Sequence, residues 1–266
     1  MIYSNNLVIF NNYNYNGIIT AHRGASKYRP ENSMEAFIYA HELQTDAIEL
    51  DIQETKDQVI YVMHDNSLLR TANINSYSYE VKWNDIKDAN ICYNMCDTYN
   101  YVHIPTLDEV ISYAKDNNIN LNIELKPTGK EINFVKNTID IINKYNYKDN
   151  IVLTSQTYDI LKEIKDYDNS IKTVYVTSKL DKDISYYIYA DDFSLKYSII
   201  NDNIVNYVHN KGNKVYAWTI DDPFIIKNMI KLNVDNIITN DIINTKKYIS
   251  YINGNIFIKL YEYIIS

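Results

Sequence analysis

The chain has 266 residues, 46% of them hydrophobic and 23% charged, a globular balance with enough apolar surface for one sizeable core. Its 26 Lys and Arg against 34 Asp and Glu leave a net charge of -8, which suits neither nucleic acid nor an anionic membrane surface. No apolar run approaches the roughly 20 residues of a membrane span, and residues 1–16, without Lys or Arg, do not read as a signal peptide. The expectation is a soluble, cytoplasmic, single-domain protein over 1–266.

Residues 17–21 read as a strand that ends in His22-Arg23-Gly24. A helix is predicted over about 32–43, with Asn32 as N-cap, Glu35 three positions on, and an apolar stripe of Ala36, Phe37, Ala40 and Leu43. Period-2 alternation makes 47–53 a strand, and 59–64 is a short extended run read as a side hairpin. Residues 66–105 are polar, irregular in period and far longer than an ordinary βα connection. They are either disordered or a lid-like insertion over the mouth of the fold, and the lid is the favoured reading. Cys92 and Cys96 lie inside it with no paired histidine nearby, so they read as ordinary thiols and not as a zinc site.

Thr106 and Glu109 make a capping-box pattern ahead of Val110, Ile111 and Ala114. Residues 120–126 read as a strand, and 132–145 as a helix with Val135, Ile139 and Ile142 on one side. Downstream, 151–154, 173–177, 192–195, 215–219 and 236–239 read as strands. Helix-like segments lie near 158–165, 184–189, 204–210 and 223–232, with a final helix from about Thr245 and an amphipathic cover at 256–265. With 59–64 set aside there are eight core strands, and such repeated βα units favour a closed (β/α)8 TIM barrel, an α/β fold. An open doubly wound sheet would ordinarily bring a Gly-rich phosphate loop, which five scattered glycines cannot build. The 27 tyrosines, with abundant Asn, Ile and Lys, follow A/T-rich codons and are read as genome composition, not function.

The strands also carry chemistry. In 47–53, Ile48, Leu50 and Ile52 share one face, and Glu49, Asp51 and Gln53 the other. In 120–126, Leu121, Ile123 and Leu125 alternate with Asn122, Glu124 and Lys126. In a barrel the apolar face packs on the helices, so Glu49, Asp51 and Glu124 point inward. Carboxylates converging there repel one another unless a cation sits among them, and an all-oxygen donor set implies one divalent ion, Mg2+ or Ca2+. The same alternation would serve on solvent-facing edge strands balanced by ordinary ion pairs. His22 and Arg23 end the first strand, where barrels keep reactive groups, and His64 with Asp65 closes the hairpin. Two histidines, a hard metal, Arg and Lys suit phosphodiester cleavage by general acid–base catalysis. A single His on the first strand, without His-x-His, argues against a metal-dependent amidohydrolase.

Eight short strings, in order, carry a resemblance. They are Ala21-His22-Arg23-Gly24, Pro30-Glu31-Asn32-Ser33, Glu49-Leu50-Asp51, His64-Asp65, Pro105-Thr106-Leu107, Glu124-Leu125-Lys126, Trp218-Thr219 and Val234-Asp235. With this order and spacing, the chain over about 18–240 resembles the glycerophosphodiester phosphodiesterase family. The resemblance implies a TIM barrel with a small inserted subdomain after the second strand. It also implies metal ligands at Glu49, Asp51 and Glu124, catalytic His22 and His64, and phosphate contacts from Arg23 and Lys126. Trp218 is read as a wall for the glycerol backbone, with a barrel-core tryptophan as the equal alternative. The implied reaction splits a small-molecule glycerophosphodiester into glycerol 3-phosphate and an alcohol, through attack of the neighbouring glycerol hydroxyl on phosphorus. Which histidine is acid and which base, the head group and the number of subunits stay open. The family's last strand finishes in Thr-Asp with a proline soon after. Here it is Thr239-Asn240-Asp241, which puts a supporting contact in doubt but is expected to touch no site residue. His41, His103 and His209 read as structural or exposed. The rivals are a lysophospholipase D-like or sphingomyelinase D-like enzyme on the same barrel, and a non-catalytic phosphodiester-binding protein.

Overall fold

The computed structural model describes residues 14–254; the readings of the first thirteen residues and of 256–265 lie outside them. The strands are β1 (Ile18–Ala21), β2 (Ala47–Glu54), β3 (Ile60–Val62), β4 (Asn120–Leu125), β5 (Ile151–Ser155), β6 (Lys172–Thr177), β7 (Asp192–Lys196), β8 (Val215–Trp218) and β9 (Asn236–Thr239). The helices are α1 (Met34–Glu42), α2 (Leu69–Ala72), α3 (Trp83–Ile86), α4 (Leu107–Asp116), α5 (Phe134–Tyr145), α6 (Tyr158–Tyr167), α7 (Asp202–Asn210), α8 (Pro223–Lys231) and α9 (Ile242–Asn253). β1 pairs in parallel with both β9 and β2, which closes a barrel of eight parallel strands, and β3 hangs antiparallel on β2 as the expected side hairpin. The (β/α)8 TIM barrel is therefore the fold.

Side-chain alternation explains where the core sits. Ile48, Leu50, Ile52, Leu121, Ile123, Leu125 and Leu153 join the large outer cluster between strands and helices. The inward positions of the same strands are mostly polar, and the interior holds a small apolar group of Val174, Tyr216 and Ile238, with Val152 and Trp218 packed against it. The register Glu49↔Asn122 and Asp51↔Glu124 puts the acidic residues of β2 and β4 side by side.

Several local expectations change. α1 is capped by Ser33, whose side chain accepts from the Ala36 amide, and not by Asn32. Asn32 instead adopts the left-handed conformation (φ 55°) and turns its amide into the barrel. The predicted helical segment 184–189 is reduced to one 3-10 turn, Ile184–Tyr186, and α9 starts at Ile242, capped by Asp241, ahead of the predicted Thr245. The Thr106 capping box is present as read, with Thr106 Oγ1 accepting from Glu109 N at 3.2 Å.

Segment 66–105 is ordered around an apolar cluster of its own, in which Leu68, Val81, Ile86, Ile91, Val102 and Ile104 gather on Tyr61 and Met63 of the hairpin. Cys92 and Cys96 are corrected: one 3-10 turn, Tyr93–Met95, brings their Cα atoms to 4.9 Å, and they form a disulfide instead of standing as free thiols. Among the described residues no helix is long and apolar enough to cross a membrane.

Candidate active site

The C-terminal ends of β1, β2, β4, β5 and β8 open into one cavity. Its lining includes His22, Arg23, Glu49, His64, Glu124, Lys126 and Trp218, with Asp51 buried behind them. All the residues singled out in the sequence are thus brought together. No described residue of 66–105 lines this cavity.

The first wall is a backbone device. Arg23 (φ 56°) and Gly24 (φ 76°) are consecutive left-handed residues, and a Cβ on Gly24 would stand 2.7 Å from that of Ala36. Only glycine takes that place without strain. The turn aims the Arg23 amide at Glu49, donating to its Oε2 at 2.7 Å. Arg23 is an uncommon non-glycine in this conformation, the kind of strain that gathers at functional sites.

Glu49, Asp51 and Glu124 each offer an oxygen within 4.8 Å of the others. Lys126 Nζ lies 2.7 Å from Glu124 Oε1 and 3.2 Å from Asp51 Oδ1, and Arg23 Nε lies 3.5 Å from Asp51 Oδ2. Burial drives the Glu49 carboxyl well up, and the charges of Asp51 and Glu124 add to it. Glu124 is also raised, burial outweighing Lys126. Asp51 is buried too, but Lys126 and Arg23 overcome the desolvation and hold it below the usual carboxylate range. Three buried carboxylates against two cations leave a negative charge to balance, and the buried Asp51 Oδ1 has the Lys126 ion pair but accepts no hydrogen bond from the described residues. A hard cation fits this donor set.

The two imidazoles are oriented by different partners. His22 Nδ1 lies 2.7 Å from Asn240 Oδ1. Asn240 Nδ2 donates to Asp221 at 2.8 Å, which commits its oxygen to His22 and makes His22 Nδ1 the protonated nitrogen. His22 Nε2 is then free, 4.0 Å from Glu49 Oε2. Burial lowers the His22 pKa to about 4, with Arg23 pushing the same way. His64 Nδ1 lies 2.6 Å from Asp65 Oδ1. A carboxylate only accepts, so this ring too carries its proton on Nδ1. Gln53 Nε2 donates to the His64 carbonyl at 3.3 Å and to Asn66 Oδ1 at 3.0 Å, tying the hairpin end to β2. Trp218 is half-buried, its Nε1 donating to Ser194 O at 3.0 Å, so its ring is a fixed wall.

Sequence reasoning missed several supporting groups. Asn32 Nδ2 donates to Asp51 Oδ2 at 2.9 Å while its Oδ1 accepts from the Asp51 amide, and Gln156 Nε2 donates to Glu124 Oε1 at 3.1 Å. Asn240, expected to touch no site residue, is a direct partner of His22. Asn32 sat in plain view inside Pro30-Glu31-Asn32-Ser33, and the signal overlooked is that Asn tolerates the left-handed conformation. Asn240 offered only its place after a strand end.

A family model described as the glycerophosphoryl diester phosphodiesterase family matches residues 22–244. A glycerophosphodiester phosphodiesterase of Caldanaerobacter subterraneus subsp. tengcongensis is 31% identical over 232 residues, 84% of this chain and 94% of that protein. Among solved structures, an Oleispira antarctica phosphodiesterase in complex with the product sn-glycerol-3-phosphate superposes with a TM-score of 0.82 at 22% identity, covering 88% of this chain and 96% of that one. A glycerophosphodiester phosphodiesterase from Thermotoga maritima gives 0.69 at 24% identity, with 88% and 98% covered. At these identities the two structures show a shared fold.

Proposed function

The chain belongs to the glycerophosphoryl diester phosphodiesterase family, and from that premise we propose that it hydrolyses small glycerophosphodiesters to glycerol 3-phosphate and an alcohol. The observation that carries the reading is the trio of carboxylate oxygens within 4.8 Å of one another, with two imidazoles, Arg23 and Lys126 beside it. Glu49, Asp51 and Glu124 would hold one divalent cation, Mg2+ or Ca2+, which supplies charge for a phosphate oxygen and acidifies a nearby hydroxyl. Arg23 and Lys126 grip the phosphate, and Trp218 backs the glycerol chain.

His22 is the better base. Its Nδ1 faces a neutral amide, burial keeps the ring uncharged, and the Nε2 lone pair is free. His64 is the better acid, because Asp65 offers a negative charge to balance a doubly protonated ring. In the first step the neighbouring glycerol hydroxyl forms its bond to phosphorus and gives its proton to His22 Nε2. The bond from phosphorus to the leaving alcohol breaks, and that oxygen takes a proton from His64 Nε2. Water then opens the cyclic phosphate with the two roles exchanged, and both rings return to their starting states. Holding nucleophile and phosphorus in one bound molecule adds a proximity advantage.

Purified protein should release glycerol 3-phosphate from glycerophosphocholine or glycerophosphoethanolamine and stop on chelation. Full turnover in exhaustive chelator overturns the metal role. Faster cleavage of lysophosphatidylcholine than of glycerophosphocholine selects the lysophospholipase D-like rival, and tight binding without product selects the non-catalytic one. We read 1–266 as one catalytic domain with 66–105 as its lid-like insertion, none of whose described residues lines the cavity. We place the chain in the cytoplasm, where thiols are kept reduced; thiol labelling in intact cells tests this, and a Cys92–Cys96 bond that persists there would overturn it.

A further inference from the structure

Arg70 lies on α2 of the excursion and lines neither the cavity nor the carboxylate trio, yet its guanidinium engages two carboxylates at once. Nη1 donates to Glu31 Oε2 at 3.1 Å and Nη2 to Glu31 Oε1 at 2.6 Å, a two-pronged grip. Nε donates to Asp65 Oδ2 at 2.5 Å, and Nη2 also reaches Asp65 Oδ1 at 3.2 Å. Each carboxylate then holds a site residue. Asp65 Oδ1 accepts from His64 Nδ1, and Glu31 Oε1 accepts from Arg23 Nη1 at 2.9 Å. The Tyr93 ring lies 5.2 Å from the guanidinium carbon and backs it from within the excursion. We propose that Arg70 is a positioning residue that sets the ring orientation and tautomer of His64 through Asp65, and the placement of Arg23 through Glu31.

The physical case is one of matched geometry. Asp65 and Glu31 are both half-buried and converge on one point. Without a cation there, two negative charges face each other and each is free to turn away from its site partner. A planar fork with five donors holds both in fixed directions, which a point charge cannot do. His64 sits on a hairpin end outside the barrel ladder, so Asp65 is what fixes its Nδ1. Arg23, by contrast, has Asp51 as a second anchor at 3.5 Å, so the larger consequence falls on His64.

The inference rests on the proposed acid role of His64 for its effect on turnover, but its test reads the ring itself. The full-length protein would be labelled with 15N-histidine and the His64 ring shifts assigned by a His64→Gln variant. Arg70→Gln and Arg70→Lys would be compared with the parent for ring shifts, kcat, KM for glycerophosphocholine, and divalent-ion affinity. Read at a pH where the His64 ring is neutral, the expected result is the Nδ1–H form in the parent and a mixture of tautomers in both variants; the acid role draws on the ring that carries a second proton on Nε2. With it, kcat should fall about 10- to 100-fold, while KM changes under about threefold and metal affinity is kept. Arg70→Lys keeps the charge and so keeps the fold if Arg70→Gln does not. A single Nδ1–H tautomer in a folded Arg70→Lys protein overturns the proposal, as does a kcat loss no larger than the unfolded fraction. Tautomers that mix in a protein without any hydrolytic activity would uphold the coupling and sink the proposed function instead.

Discussion

His22 and His64 reach the same cavity from two kinds of structure. His22 continues a barrel strand: its neighbours on β2 and β9 are set by parallel ladders, and its Nδ1 partner, Asn240, extends the adjoining strand. His64 lies two residues beyond a three-residue hairpin strand, and its partner Asp65 is held by Arg70 of the excursion. The barrel half is placed by backbone hydrogen bonds spread over many residues, so it tolerates a single change in a supporting side chain. The excursion half depends on a few charged contacts, where removing one partner leaves another exposed to repulsion. Neutral amide against carboxylate is also a chemical difference, and it is the ground on which the proposed mechanism assigns base and acid.

The largest effect expected is on the shared floor of both halves. Glu49→Gln or Glu124→Gln should abolish metal-dependent turnover and divalent-ion binding measured by calorimetry; retained affinity would detach the trio from the mechanism. Next, His22→Ala should lower kcat by about 10^2- to 10^4-fold, the usual worth of an acid–base group; a rate near the parent's would remove His22 from the reaction.

A sharper probe exchanges the partners. In Asn240→Asp the His22 ring faces a carboxylate, as His64 does. The parent ring is held down at about 4 by burial and Arg23, so in the proposed mechanism it is unprotonated and able to accept a proton above that pH. A negative partner favours the charged ring and raises its pKa, so the acidic limb of kcat/KM should move to higher pH. A limb that stays put, or moves down, would show that the amide does not set His22's state. The smallest effect belongs to the scaffold. Thr106→Ala removes the cap of α4, where the chain re-enters the barrel, and should cost about 1 kcal/mol of stability with kcat unchanged. A changed kcat would mean that this re-entry also shapes the site.

The legible parts of the site were those with a period. Glu49, Asp51, Glu124 and Lys126 stood out because strand alternation separates them from Ile48, Leu50, Ile123 and Leu125, and their meeting needed only a closed barrel. His22 stood out by ending the first strand. Asn32, Asn240, Gln156 and Arg70 had no such mark. Asn240 lies 218 residues from His22, and Arg70 lies 39 from Glu31, in an excursion without periodicity. The apolar spacing of 184–189 serves aromatic packing and not a helix, with Tyr187 stacked on Tyr175 at 4.7 Å between ring centroids.

By itself, then, the amino-acid order determined the eight-strand barrel, the acidic trio, the two imidazoles and the Thr106 cap. Each of these follows from rules that act over a few residues: side-chain alternation, capping and strand-end position. Tertiary structure decided which nitrogen of each imidazole carries its proton, that Asn32 turns inward instead of capping a helix, that the two cysteines are joined, and that the excursion meets the site through Arg70. Those outcomes hang on hydrogen bonds between groups distant along the chain. Their geometry comes into being only when the barrel closes and brings the loop ends within about 3 Å of one another.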